Sequence, residues 1–378
     1  MMLCLLTAAT LAADVKMGVA VMRPSDAAGL GDVRGTVTFK TLNAAETEVV
    51  VALSGLVPNS EHGFHVHQYG DMDETKTFAS AGLHFIPICT NADPVAPGGT
   101  PGENPCLKDQ VHGIPPSENR QPGDMGNLLA DANGNIATTL TLGQSKMDLS
   151  SSLRSVIGRV VVLHERRDDG NPKTTGNAGN PAAMGVIGRA APSAGDTNSA
   201  MAPNTPAPDK VTCVFDASST AENAGVFGTV VLQTTGTFSS AALLKAKLHG
   251  LAVGTYSWHF HAQGDITGSA FPNVGEIFTP ADADVKLDTI SGAGATNPTY
   301  FEGHFTVTEL RSHVGASLTI HSGPTSASST IAAAVCGLAH PDTTVDVPGG
   351  IGSDAARVVA SRGTAAALAL AALAGLLF

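Results

Sequence analysis

Charge is scarce in this chain of 378 residues: Asp, Glu, Lys and Arg together make up 14%. What charge there is leans acidic, 21 basic against 33 acidic side chains, for a net of −12. That balance argues against nucleic acid or an anionic membrane surface as an electrostatic partner. Aromatics are few as well, at 4%. Helical periodicity is poor except at the two ends. No Asn-x-Ser/Thr acceptor survives the no-proline condition, because Asn297-Pro298-Thr299 fails it. With 42 Gly and 22 Pro, the composition suits many short strands and turns better than long helices. Apolar residues are plentiful at 43%, enough to bury cores, and the length suits two domains of ordinary size. Thirteen His against five Cys is the first sign of chemistry, since neutral imidazole is the commonest metal ligand.

Both ends of the chain read as processing segments. Residues 1–13 are apolar and close on Leu11-Ala12-Ala13, the pattern of a secretory signal peptide, although its start carries no Lys or Arg. A first strand or buried helix is the alternative. Removal there would take away Cys4 and leave an even number of cysteines, as an oxidising compartment favours. At the other end, residues 346–378 run from small residues through a spacer with Arg357 and Arg362 to an uncharged tail, Thr364 to Phe378. This matches a lipid-anchor (GPI) signal, with Ser353 or Asp354 as the attachment point, and a spanning tail anchor is the alternative. Either one implies an extracellular protein held at a membrane.

Between the ends lies a repeat. Leu53-Ser54-Gly55-Leu56 followed by His65-Val66-His67 and Gly70-Asp71 recurs as Leu248-His249-Gly250-Leu251 followed by His259-Phe260-His261 and Gly264-Asp265. The offset is about 195 throughout. Gly35-Thr36-Val37 recurs as Gly228-Thr229-Val230, and Gly185-Val186-Ile187-Gly188 answers to Cys336-Gly337-Leu338-Ala339. Two homologous domains follow, 14–190 and 211–345, joined by a Pro-, Ala-, Ser- and Thr-rich linker, 191–210. Strands are expected at Val33 to Phe39, Glu48 to Leu53, His62 to His67, Ile136 to Leu142 and Arg159 to His164. The fold class is all-β: each copy an antiparallel Greek-key sandwich or flattened barrel of immunoglobulin-like kind.

His65 and His67 flank one Val on an expected strand, so period-2 geometry puts both rings on one face. Downstream stand Ser80-Ala81-Gly82-Leu83-His84-Phe85, His112-Gly113, Gly123-Asp124-Met125-Gly126-Asn127, Val161-Val162-Leu163-His164-Glu165 and Gly176-Asn177-Ala178-Gly179. With His62-Gly63-Phe64-His65-Val66-His67, these stretches resemble the copper/zinc superoxide dismutases over Val15 to Ala190, and more faintly over Val211 to His340.

The resemblance implies a superoxide-dismutase-type barrel and a copper ion held by His65, His67, His84 and His164. Four imidazoles suit a copper ion that cycles between oxidation states. It implies superoxide as the small-molecule substrate, with oxygen and hydrogen peroxide as products. His84 takes the place of the histidine shared with zinc, which picks up a proton on reduction. Asp168 takes the place of the aspartate that orients ligands.

Several positions depart from the family. His112 and Asp124 match zinc ligands, but Gln121 stands where a histidine is expected, so zinc is in doubt. Surface-anchored copper-only members of the superfamily are the nearer comparison. The family's disulfide positions fall on Phe78 and Met184, so that bridge is missing. Cys89 and Cys106 share one long loop and are expected to pair, two free thiols being the alternative. Cys213 and Cys336 open and close the second copy and are expected to staple it, with a role as copper ligands as the other reading. The family's guiding arginine falls near Pro181, and Arg166 and Arg167, beside His164, stand in as candidates or simply occupy a solvated turn.

In the second copy His259, His261 and His321 match three copper positions, and Ile277 replaces the bridging histidine. These three either hold a second copper or are remnants in a spacer domain. The leading expectation is an anchored, copper-dependent superoxide dismutase acting through the first copy. The competing one is a non-catalytic copper-binding or cell-surface protein that kept the fold.

Overall fold

The computed structural model describes residues 16–25, 32–43, 45–72, 79–87, 111–143, 147–150, 153–190, 209–216, 225–234, 241–268, 270–277, 290–292, 297–306, 310–325 and 328–347. The expected signal segment, nearly all of the anchor segment and of the linker, and Cys89 and Cys106 lie outside them.

The first copy contains β1 (Met17–Pro24), β2 (Arg34–Thr41), β3 (Glu46–Ser54), β4 (Glu61–Val66), β5 (Asp124–Leu129), β6 (Ile136–Gly143), β7 (Val160–His164), β8 (Pro181–Val186) and β9 (Gly188–Ala190). The second contains β10 (Lys210–Phe215), β11 (Phe227–Thr234), β12 (Ala241–His249), β13 (Thr255–His261), β14 (Ile290–Ser291), β15 (Thr299–Thr306), β16 (Ser317–His321) and β17 (Thr330–Leu338). Strands run β5-β4-β7-β8-β1-β2-β3-β6 in one sheet and β14-β13-β16-β17-β10-β11-β12-β15 in the other. Position for position the two orders are the same, so the sequence repeat is a repeat of topology. The second copy begins at Lys210, the last residue assigned to the linker.

Alternation places the core. On β3, Thr47, Val49, Val51 and Leu53 point inward while Glu46 and Ala52 face solvent, as a half-buried antiparallel strand requires. Val49, Val51 and Leu53 pack with Val37, Phe39, Phe64, Ile136 and Leu163. Strand β7 is buried at every position because it serves two cores. Val161 and Leu163 face the first copy's interior, whereas Val160 and Val162 join a cluster that includes Val214, Ile266, Phe271 and Val335 of the second copy.

That shared cluster docks the two copies about a pseudo-two-fold axis. Gly70 N donates to Leu338 O (2.7 Å) and Leu338 N to Gly158 O (2.8 Å). Reciprocally, Gly264 N donates to Arg189 O and Arg189 N to Gly315 O, both at 2.8 Å. An interface that repeats its contacts in this exchanged form is isologous. Its pairings equate Ile187-Gly188 with Cys336-Gly337, correcting by two residues the alignment read from the sequence. Backbones meet so closely here that a Cβ on Gly70 would lie 2.1 Å from Gly158 O and 2.6 Å from Gly337 Cα.

Cys213 and Cys336 sit opposite each other on β10 and β17 and form a disulfide with S–S 2.06 Å. Their sulfurs are therefore not copper ligands. It closes a separation of 123 residues, stapling the second copy where its first and last strands meet. His313 falls in a short 3-10 turn, Leu310–His313.

Candidate metal centre

The end of β4 delivers His65 and His67, β7 ends on His164, and an isolated bridge between His67 and His84 brings in the fourth ring. One ring nitrogen from each lies within 4.8 Å of all the others, and all four residues are buried. His65 Nδ1, His67 Nε2 and His164 Nε2 are buried with no hydrogen-bond partner. Such atoms are costly unless something fills the point they share.

Each ring's other nitrogen is engaged. His65 Nε2 meets Asp168 Oδ2 at 2.7 Å, His67 Nδ1 meets Gly82 O at 2.9 Å, and His164 Nδ1 meets Gly179 O at 2.9 Å. A carbonyl or carboxylate accepts only from N–H, so these contacts fix the tautomers and leave the converging nitrogens as lone pairs. Burial also keeps the rings neutral: it is the main cause holding His65 down to about 4 and His67 to about 3, and it pushes His164 well below its ordinary value.

A second group adjoins the first. His84 Nδ1 meets Asp124 Oδ1 at 2.7 Å, and His112 Nδ1 lies 3.0 Å from Asp124 Oδ2. His84, His112 and Asp124 form a three-ligand set, so His84 belongs to both groups. Asp168 ties them together from behind, its Oδ1 accepting from His112 Nε2 at 2.9 Å while Oδ2 holds His65. Burial opposes a charge on His112, but the hydrogen bonds to Asp124 and Asp168 outweigh it and push the ring up to about 9. Burial likewise opposes charge on Asp124, and its bonds to His112 and His84 bring it down to about 2. Gln121 shares the turn, its backbone O accepting from Asp124 N. Three strong donors are one short of a closed tetrahedral zinc set.

Some of the supporting residues carry no sequence signal of their own. His62 bridges Ser60 Oγ and His164 O (2.6 and 2.7 Å), steadying the end of β7. Asn127 both donates to Asp168 O and accepts from Asp168 N. Gly82 and Gly179 act through carbonyls, which any residue type carries.

Arg166 and Arg167 are not aimed at the cluster as free cations. They are exposed, Arg166 paired with Glu165 at 3.1 Å and Arg167 with Glu61 at 3.0 Å. The structure thus favours the solvated-turn reading for both.

The second copy's histidines are arranged differently. Where His67 bridges to His84, His261 bridges to Ile277. Val162, opposite His65, is matched by Thr319, opposite His259. The Thr319 hydroxyl sits 3.1 Å from His261 Nε2 and 3.0 Å from His321 Nε2. Ring centroids of His261 and His321 stand 6.5 Å apart, against 5.6 Å for His67 and His164. Among the described residues only the two first-copy groups have converging ligand atoms.

These shifts set the pH response of the metal-free protein. His65 and His67 titrate below the ordinary value of 6.5, so as pH falls from 6.5 through about 4 and then 3 the unfolded chain takes up protons the folded chain does not, and stability drops. His112 titrates above it, and its contribution is lost as pH rises from 6.5 through about 9. The melting temperature of chelator-treated protein is therefore expected to peak near pH 6.5. His112→Gln should flatten the alkaline arm alone. A wild-type curve already flat from pH 7 to 9 would show that His112 is not clamped between the two carboxylates.

Fold and site together define a β-barrel built twice in one chain, with a metal-ligand set in the first copy. Residues 33–187 match the family described as copper/zinc superoxide dismutase (SODC). The chain is 37% identical over 177 residues to the superoxide dismutase [Cu-Zn] of Humicola lutea, a match covering 45% of this chain and 96% of that protein. A crystal structure of the clock protein EA4 matches at 31% identity, covering 46% of this chain and 94% of that one, with a TM-score of 0.35. The chain belongs to the copper/zinc superoxide dismutase family.

Proposed function

We propose that the first copy is a copper-dependent superoxide dismutase centre and that the second copy holds no metal. One observation carries the reading: three buried imidazole nitrogens without partners converge with His84, every other ring nitrogen being fixed by an acceptor. Four imidazoles fit copper in either oxidation state. Copper held by His65, His67, His84 and His164 would supply a one-electron couple, accepting an electron from one superoxide to give oxygen and returning it to a second that takes two protons to give hydrogen peroxide.

The chain's own residues do the rest. His65, His67 and His164 present lone pairs that burial keeps unprotonated, and Asp168 and the Gly82 and Gly179 carbonyls hold the rings in orientation. Asp124 anchors His84 through Nδ1, which leaves Nε2 to carry a proton to the departing peroxide. Zinc, with His84, His112 and Asp124 as ligands, is a supplement rather than a requirement. In the second copy Thr319 lies between two of the three rings, and Ile277 supplies no ligand.

The Arg166 and Arg167 ion pairs support one competing reading, a copper-holding protein that lacks substrate guidance. The disulfide of the second copy fits an oxidising compartment, and with the apolar end segments it favours an extracellular, surface-anchored protein. Superoxide dismutation by the full chain, loaded with copper alone and then stripped with chelator, separates the two readings. Activity that follows copper content and survives His259→Ala establishes the enzyme. Bound copper without activity leaves the copper-holding protein.

A further inference from the structure

The sequence repeat predicts that equivalent residues of the two docked faces should match in chemistry; around the cavity between them most do, whereas further out Arg189 answers to Leu338 and Val162 to Thr319. Val186 answers to Val335 and Met72 to Ile266, and these four, with Val21 and Arg23, line a small cavity between the copies. Strand register supplies the remaining equivalences. Met22 pairs with Gly35 and Phe215 with Gly228. Gly35 and Gly228 are themselves equivalent, each at positive φ and each with a would-be Cβ about 2 Å from the same carbonyl of the neighbouring strand, 2.0 Å from Ala52 O and 2.1 Å from Lys247 O. Met22 therefore matches Phe215, and both lie in their own cores. Val21 matches Val214, and both face the shared cluster. One step further on, Arg23 matches Asp216.

Here the chemistry departs from the repeat. Arg23 is 3% exposed, and its Nη1 has no hydrogen-bond partner. Period 2 places it on the same side of β1 as Val21, toward the second copy. Burial holds the guanidinium below its ordinary value and Arg34 adds to that, while Asp216, the residue at its own symmetry-related position, opposes the lowering. Arg23 lines the cavity together with Ile266 and Val335 of the second copy, and Asp216 stands two residues after Val214 of the shared cluster, so strand alternation puts both positions on the docked faces. Pairing the first copy's face with another of its kind would thus bury two guanidinium groups together, and two second-copy faces would bring two carboxylates together. Like charges in a buried interface are costly.

We propose that Arg23 and Asp216 form a recognition pair that specifies docking of the first copy against the second. The other equivalent positions lining the cavity are apolar in both copies and cannot tell one face from the other.

The test is a charge-swap cycle in the full chain. Arg23→Asp and Asp216→Arg alone should each lower the melting temperature by roughly 5–10 °C. The double substitution restores an opposite pair in reversed order and is expected to recover at least half of the summed loss. If either single variant fails to fold, the milder set Arg23→Gln, Asp216→Asn and their combination carries the same comparison. A double variant whose loss equals the sum of the singles in the set that folds would overturn the proposal.

Discussion

Replacing Asp168 by alanine is expected to disable both metal groups at once. Its two carboxylate oxygens accept from His65 Nε2 and His112 Nε2, and Oδ1 also accepts from Gly170 N. Alanine leaves these buried donors without an acceptor, each worth about 1–3 kcal/mol. Freed of that bond, His65 can turn or take the wrong tautomer, and supporting contacts of this kind typically cost about 10–100-fold in metal affinity. Copper titration and calorimetry of Asp168→Ala should show weaker binding and a stability loss of about 3 kcal/mol or more. Copper affinity within about threefold of wild type would mean that packing alone holds His65 in place.

Gly70→Val tests the interface from the opposite direction. The new Cβ would strike the Gly158 carbonyl at 2.1 Å and the second copy's Gly337 Cα at 2.6 Å, and neither is a side chain that can swing away. The copies must part locally, disturbing the Gly70–Leu338 hydrogen bond and the apolar cluster behind it. A loss of about 3 kcal/mol is expected, with one cooperative unfolding transition splitting into two. Gly254→Ala is the control, since its nearest neighbour is the Tyr256 ring at 3.8 Å. Equal behaviour of the two variants would show that the close approach does not hold the copies together.

How much of this was readable in advance depended on how local the signal was. His65-Val66-His67 advertised its shared face through strand periodicity alone, and Gly35-Thr36-Val37 with its echo at Gly228 gave away the duplication. The expected strands at 33–39, 48–53 and 136–142 lie within one or two residues of β2, β3 and β6, because alternating Val, Thr and Ile between Gly or Asn turns is a short-range pattern. Thr319 was harder to read. It lies two residues before His321, on the same face, yet its meaning depends on the His261 ring arriving from another strand. Arg23 gave no hint at all: beside Pro24 it reads as the solvated end of a strand, and only the second copy's arrival buries it. The pairing of Arg167 with Glu61 was hidden for a similar reason, since Glu61 lies more than one hundred residues away in sequence.

The isologous contact across Gly70 and Leu338 has a further consequence. Two separate chains meeting through such a face would come apart on dilution, at a threshold set by their dissociation constant. Here both faces belong to one polypeptide, so their local concentration is fixed by the connecting residues and not by how much protein is present. The strand bearing His164 is buried on its far side by the second copy, and that cover persists however thinly the protein is spread.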